Sequence, residues 1–277
     1  MSATRDASMT GREIRALCRS GSFDRPTAGV AIRFAQANLV ILPSNLAGDF
    51  KAFCEANAQP CPVLEMCARG SFEPKTTAPG ADLRTDLPRY RVYRDGALID
   101  QPRSIERYWP DDPKEPDDRL TALLIGCSFT FERALLDDGV PVRHLETGCN
   151  VPMYRTNIAC APAGAFHGPM VVSMRPMTPE QAVRARRVTE RYPRVHGAPV
   201  HVGNPSAIGI GRLDAPDYGD PVPVRAGEVP VFWACGVTPM EAIMRAAPPI
   251  AITHEPGHMF VTDLLDESLR DGDGADG

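Results

Sequence analysis

Leu120-Thr121-Ala122-Leu123-Leu124-Ile125-Gly126-Cys127-Ser128-Phe129-Thr130-Phe131-Glu132 reads as a buried strand that ends in a tight turn and opens a helix over Phe129 to Asp138. The first N–H groups of a helix have no partner within it, and the macrodipole adds partial positive charge. A thiol or carboxylate at this corner is therefore favoured as an anion. Cys127 and Ser128 occupy it, Ser128 also carrying the side chain of an N-cap and Cys127 that of a small core residue.

The form recurs at Pro230-Val231-Phe232-Trp233-Ala234-Cys235, followed by Gly236 and a helix opened by Thr238-Pro239-Met240-Glu241. With both strands parallel in one sheet, Cys127 and Cys235 reach the same edge, outside which ligands of open α/β sheets bind. Upstream, Thr10-Gly11-Arg12-Glu13 has capping-box spacing, Ala37 to Leu42 reads as a strand, Ser44 caps a helix through Asn57, and Val63 to Cys67 is a second strand. This strand, helix, strand alternation predicts an α/β fold with a mostly parallel sheet covered by helices. Asp95-Gly96 between two short apolar runs is a hairpin, and Asp111 to Asp118 a surface loop. Met170 to Met174 is a strand, and Thr178-Pro179-Glu180-Gln181 opens a helix to about Arg191, with proline at the first helical position. The reading places a main domain at 1–132 and 196–277 and a smaller two-layer α/β module at 133–195. It finds no internal repeat.

The 277 residues, 43% hydrophobic and 23% charged with net charge −5, give no electrostatic reason for a nucleic acid or anionic membrane partner. With no membrane-length apolar run and no signal-like N-terminus, the expected location is the cytoplasm. Eight cysteines without a CxxC pair point to a reduced chain.

Among the motifs, His254-Glu255-Pro256-Gly257-His258 matches HExxH in letters only. Pro256 and Gly257 would sit inside the helix a zinc protease needs, so the i, i+4 register should not form. A tight turn leaves open a site for a divalent metal such as manganese at His254, His258 and Asp263. His196-Gly197-Ala198-Pro199-Val200-His201 adds two imidazoles among small residues. Gly209-Ile210-Gly211 lacks the third glycine of a dinucleotide loop, so no nicotinamide site is expected. Arg155 and Asn157 suit a carboxylate clamp, with a surface salt bridge as the alternative.

Taken with Gln36-Ala37-Asn38-Leu39, Asp49-Phe50-Lys51-Ala52-Phe53-Cys54, Tyr154-Arg155-Thr156-Asn157 and Pro256-Gly257-His258-Met259, the Cys127 corner and the His196 segment resemble a bacterial hydro-lyase family related to the D-glutamate cyclases. The resemblance runs from about residue 10 to 266. It implies a three-layer α/β domain with a smaller α/β module, and lyase chemistry that eliminates water, as in the reversible conversion of D-glutamate to 5-oxo-D-proline. The substrate expected is a small carboxylic or amino acid, and a homo-oligomer is compatible with the sequence. Such a reaction needs a base for the ammonium proton, an acid for the leaving hydroxyl and donors for an oxyanion, but no obligatory cofactor. The expected catalytic groups are Cys127, Ser128, Glu132, His254 and His258; Tyr154, Arg155, Asn157, His196, His201 and Cys235 are expected to bind substrate. Attack by Cys127 to form a thioester is the weaker route, since a carboxylate is a poor electrophile. A hydratase of another small acid and a non-catalytic carboxylate-binding protein are the competing readings.

Overall fold

The computed structural model describes residues 6–109 and 119–271, so the expected loop at Asp111 to Asp118 lies outside the described residues. Helix α1 (Gly11–Arg19) begins at the predicted capping box: Thr10 Oγ1 accepts from Glu13 N at 3.2 Å, and Glu13 Oε2 accepts from Thr10 N at 2.7 Å. There follow β1 (Phe34–Pro43), α2 (Ala47–Ala56), β2 (Val63–Met66), β3 (Tyr90–Arg94), β4 (Ala97–Asp100), β5 (Leu120–Gly126), α3 (Phe129–Asp137) and the short α4 (Arg143–Thr147). The second half comprises β6 (Met153–Ala159), β7 (Pro169–Met177), α5 (Pro179–Thr189), β8 (His201–Val202), β9 (Val229–Ala234), α6 (Thr238–Ala246), β10 (Ala251–His254) and β11 (Phe260–Leu265). Ser44 does not cap α2; its hydroxyl bonds Thr121 Oγ1 at 2.8 Å, and the helix starts after Leu46. At the hairpin, Asp95 and Gly96 take φ of +48° and +78°, the positive values a two-residue primed turn requires.

The elements build a seven-stranded sheet in order β2-β5-β1-β10-β3-β4, with β11 also on β1, and a four-stranded sheet in order β6-β7-β9-β8. The fold is mixed α/β, but every strand pair is antiparallel, which corrects the expected mostly parallel sheet. The physical reason is local. β1-α2-β2 is a strand–helix–strand unit whose two strands do run the same way, yet they leave one strand's width between them, and β5 fills it in the opposite sense. This is a split unit, and β7-α5-β8 repeats it with β9 in the gap.

The correspondence extends further. The path β1-α2-β2-β5-α3 and then β6 is matched by β7-α5-β8-β9-α6 and then β10, and each half gives its last strand to the other's sheet: β6 pairs with β7, and β10 with β1. Sheet orders β2-β5-β1-β10 and β8-β9-β7-β6 thus coincide. The two halves thus repeat one topology with reciprocal strand exchange, although their sequences show no repeat. Equivalent hydrogen bonds survive where sequence does not. Ala37 faces Gly126 and Gln36 N donates to Thr130 Oγ1 at 3.1 Å; Val172 faces Ala234 and Val171 N donates to Thr238 Oγ1 at 2.9 Å. The second sheet draws β8 and β9 from beyond residue 195, and one apolar cluster holding Val40, Phe53, Cys127, Met153, Val171, Cys235 and Met240 joins the two halves.

Because β5 and β9 belong to different sheets, their corners meet across the seam between the sheets and not along a shared edge. Asn38 is wedged there: Nδ2 donates to Ile125 O at 3.2 Å and Gly126 O at 2.7 Å, while a Cβ on Gly236 would fall 2.0 Å from the same nitrogen. Gly236→Ala should therefore cost about 1–3 kcal/mol by overpacking, measured by urea unfolding. The same change in an Asn38→Ala background should cost far less, because the obstruction is that side chain.

Candidate active site

Each corner cysteine sits at the start of a helix, where the backbone N–H two residues on, that of Phe129 for Cys127 and of Val237 for Cys235, favours the anionic sulfur. Thr130 N and Thr238 N return to the carbonyls of the same cysteines at 3.1 and 3.0 Å. The thiols are close enough for charge on Cys235 to raise Cys127, and Arg175 acts on both. Burial nevertheless dominates, pushing Cys235 up to about 11 and Cys127 also well up, against the N–H groups that favour the anion. The expected resting thiolate at Cys127 is corrected accordingly: the dry surroundings outweigh the helix terminus. All eight cysteines are free thiols.

Ser128 does not cap α3. Its hydroxyl accepts from Arg175 Nη2 at 3.2 Å. Arg175, wholly buried on β7, also donates Nη1 to Ser173 Oγ at 3.0 Å and Nε to Glu132 Oε1 at 3.1 Å, with Nη2 on the same carboxylate oxygen. The rings of Phe131 and Trp233 flank the guanidinium at 5.4 and 5.3 Å. His144 Nε2 lies 3.2 Å from Glu132 Oε1 without hydrogen-bond geometry. Burial would raise Glu132, but the charges of His144 and Arg175 overcome it and hold the carboxyl down to about 2. Glu132 is thus an ionised partner of Arg175, unsuited to giving up a proton near neutrality.

Two of the expected histidines are sealed in the frame. His196 Nδ1 bonds Gln59 O at 2.9 Å and the ring also meets the Gly126 backbone, so it backs the Cys127 corner from behind. His254 closes the seven-stranded sheet. β1 changes partner from β10, with Val40 opposite Thr253, to β11, with Ala37 opposite Phe260, and in the interval Leu39 N donates to His254 Nδ1 at 3.2 Å. Burial lowers both imidazoles to about 4, so both are neutral at pH 7.

Between β10 and β11 the 255–259 segment is a turn, as the proline and glycine of HEPGH require, with Gly257 at φ +83°. His258, half-buried on it, bonds Pro256 O through Nδ1 at 3.2 Å, leaving a neutral ring's lone pair on Nε2; burial lowers its pKa. A hydrogen-bonded path ties this turn to the corner. Met259 N donates to Thr27 Oγ1 at 3.0 Å, Thr27 O accepts from Gln36 Nε2 at 2.9 Å, and Gln36 N reaches Thr130 on α3. Met259 packs in the same apolar cluster as Cys127 and Cys235. Asp263 does not join the two histidines: both its oxygens take Arg15 Nη2, at 2.9 and 2.8 Å. Among the described residues no group of three His, Cys, Asp or Glu is placed to hold a metal.

The remaining expected residues lie elsewhere. Arg155 is already committed to Glu241 (2.7 Å), Asp217 (2.7 Å) and the Tyr218 hydroxyl (2.8 Å), so its fork is filled from within the chain. Asn157, two residues on along the strand, lines an open cleft of about 420 Å³ with His167 and Arg245. Tyr154 turns to the opposite face and donates to Leu213 O at 2.7 Å. His201 stands half-exposed on β8, bonded to Asn204 O at 2.8 Å. Arg175, His144 and Asn38 are site residues the sequence reading missed. Asn38 and Arg175 did carry a signal, a polar side chain inside an otherwise apolar strand.

Two outcomes follow for stability. Arg175→Met leaves Glu132 buried without its main partner and should cost about 3–5 kcal/mol, much of it regained in an Arg175→Met/Glu132→Leu double variant, read by urea unfolding. Because His196 and His254 are depressed from 6.5 to about 4, the unfolded chain takes up protons first. Stability should therefore fall as pH drops from about 6.5 through 4, and Glu132 should add a further loss between about 4.5 and 2, measured as urea midpoint against pH.

A family model described as D-glutamate cyclase matches residues 121–263. A protein of Stutzerimonas stutzeri named "Putative hydro-lyase" is 58% identical over 97% of this chain and 98% of its own. Similarly named proteins of Geobacillus kaustophilus and Bacillus subtilis are each 55% identical, over 95% and 94% of this chain and 97% and 99% of their own. A solved nitrogen repressor-like protein of Methanococcus jannaschii aligns over 91% of this chain and 97% of its own at a TM-score of 0.35 and 7% identity, too slight a likeness to argue from. With most of its length shared at this identity, the chain belongs to the D-glutamate cyclase family.

Proposed function

We propose that the seam between the two sheets is the catalytic site of a hydro-lyase, and that its reaction is the reversible closure of D-glutamate to 5-oxo-D-proline with loss of water. The observation that carries this reading is the meeting of two helix N-termini, at Cys127-Ser128 and Cys235-Gly236, around Asn38 and beside Arg175. First-turn N–H groups of two helices supply donors for the γ-carboxyl oxygen as it becomes an oxyanion. Family membership supplies the reaction class.

In the forward direction the amine must lose a proton before attacking the γ-carboxyl carbon, and the departing oxygen must gain two to leave as water. His258 is the expected base, since it is neutral, half-buried and carries its free lone pair on Nε2. After attack the nitrogen gives up its second proton, and the two protons that leave nitrogen, taken in turn by the ring, are delivered to the oxygen that departs as water. Glu132 keeps Arg175 in place and is not the acid. Folding the substrate chain so that amine and carboxyl meet contributes much of the remaining acceleration. The reading calls on no cofactor; manganese enters the test as a variable.

Proton NMR of D- and L-glutamate and both 5-oxoprolines with the protein, with and without manganese, should show conversion of the D pair. His258→Ala should lower turnover by roughly 10²- to 10⁴-fold with an unchanged melting temperature. Thermal stabilisation by these acids without conversion would instead favour a carboxylate-binding protein, and loss of water from a different acid a dehydratase.

A further inference from the structure

We propose that the open cleft lined by Asn157, His167 and Arg245 is a binding site for a small carboxylic acid with an apolar body, separate from the seam. The cleft has a volume of about 420 Å³, within the range of small-molecule sites, and lies where β6, the turn before β7 and the end of α6 meet. Arg245 comes to it uncommitted. Glu241, one turn earlier on α6, stands at the i, i+4 spacing at which two such side chains ordinarily pair, but its carboxylate is taken by Arg155 and the Tyr218 hydroxyl. Among the described residues no hydrogen bond or ion pair engages the Arg245 guanidinium, the Asn157 amide or the His167 ring. All three residues are exposed.

Charge and shape together select the ligand. No carboxylate lines the cleft. Burial pushes the Cys160 thiol up to about 11, so it is neutral at pH 7, and the Thr156 hydroxyl is already engaged, donating to Met170 O at 2.7 Å and accepting from Ile158 N at 3.2 Å. What remains is the planar fork of Arg245, which matches a carboxylate with two parallel N–H bonds, and beside it an amide and an imidazole able to donate. One fixed cation balances one carboxylate, whereas a phosphate dianion would leave a charge unmet. Ala159, Pro162 and Pro169 supply apolar wall for the rest of the molecule. Gly168, at φ +157°, lets that wall close on Arg245: a Cβ there would stand 3.2 Å from Arg245 Cδ and 3.4 Å from Nε. The seam lies at the opposite end of the same helix, Thr238 and Arg245 being about 10 Å apart along its axis at 1.5 Å per residue.

The test is titration of the protein with benzoate, benzyl alcohol and inorganic phosphate, followed by ligand-observed proton NMR and by the Arg245 Nε–H signal. Benzoate should bind with a Kd on the order of millimolar, the strength open to so small a ligand, and should shift the Arg245 signal. Arg245→Ala should weaken it about tenfold or more, the scale of a hydrogen bond to a charged group, and Asn157→Ala and His167→Ala by about 2- to 10-fold each. Exposed side chains leave the fold intact on truncation, so each variant should melt with the wild type; were Arg245→Ala to melt lower, Arg245→Lys, which keeps the charge and loses the fork, should still bind benzoate more weakly. Unchanged benzoate affinity in the Arg245 variants, or an Arg245 signal that stays in place at tens of millimolar benzoate, would overturn the inference. Benzyl alcohol binding as well as benzoate, or phosphate binding more tightly, would overturn the choice of a carboxylate. Glutamate conversion at the seam is read by its own assay, so either proposal can fail alone.

Discussion

The close approach of the two strand–helix corners is the constraint on which the molecule turns. Asn38 fills the space between them, spending its amide on the carbonyls of Ile125 and Gly126 while leaving no room for a side chain at position 236. On the far side of the first corner, Gly126 is equally obligatory, since a Cβ there would lie 2.2 Å from the Arg194 carbonyl. Two glycines and one amide therefore set how near the helix termini of α3 and α6 come to each other. Every other feature of the seam inherits that distance.

Such proximity brings like dipole ends together in a dry place, and the surrounding residues answer it electrostatically. Glu132 is buried beside Arg175 and His144, and a carboxylate at the first turn of α3 also offsets the positive end of that helix. At the other corner Glu241, on the first turn of α6, holds Arg155 and Tyr218. Both helices thus carry a buried glutamate near their start, and each glutamate reaches an arginine of the four-stranded sheet. Uncompensated burial of Glu132, Arg175 or Glu241 would cost several kcal/mol, so the pairs favour a single arrangement of the two halves.

The histidines divide along the same line between frame and chemistry. His254 supplies the acceptor that sheet pairing lacks at Leu39, and His196 braces the backbone of Gly126. Both are sealed and neutral. His258 alone of the three sits half-buried on a turn, tied to α3 through Thr27, Gln36 and Thr130. A substitution at this ring changes a side chain on a pinned loop, whereas a substitution at either of the others opens a hole in the sheet.

Much of the local structure was legible in the chain. Both threonine capping boxes, the Asp95-Gly96 hairpin, the two strand–turn–helix corners and the refusal of HEPGH to be a helix follow from short-range rules, because caps, turns and proline act within four residues. Family motifs identified the hydro-lyase relatives for the same reason, being short and in fixed order. Strand direction was not legible: β1-α2-β2 looks the same in sequence whether its strands are neighbours or stand one strand apart, and the strand that fills the gap comes more than fifty residues later. Nor could the matching topology of the two halves be read, since they share strand order and a few hydrogen bonds but no sequence repeat. Charge partners were decided only in three dimensions. For Arg155 the sequence left a substrate clamp and a salt bridge open, and the structure pairs it with Glu241, Asp217 and Tyr218, while Arg175, hidden in an apolar strand, became the centre of the seam, because burial and pairing depend on residues that meet only after the sheets close.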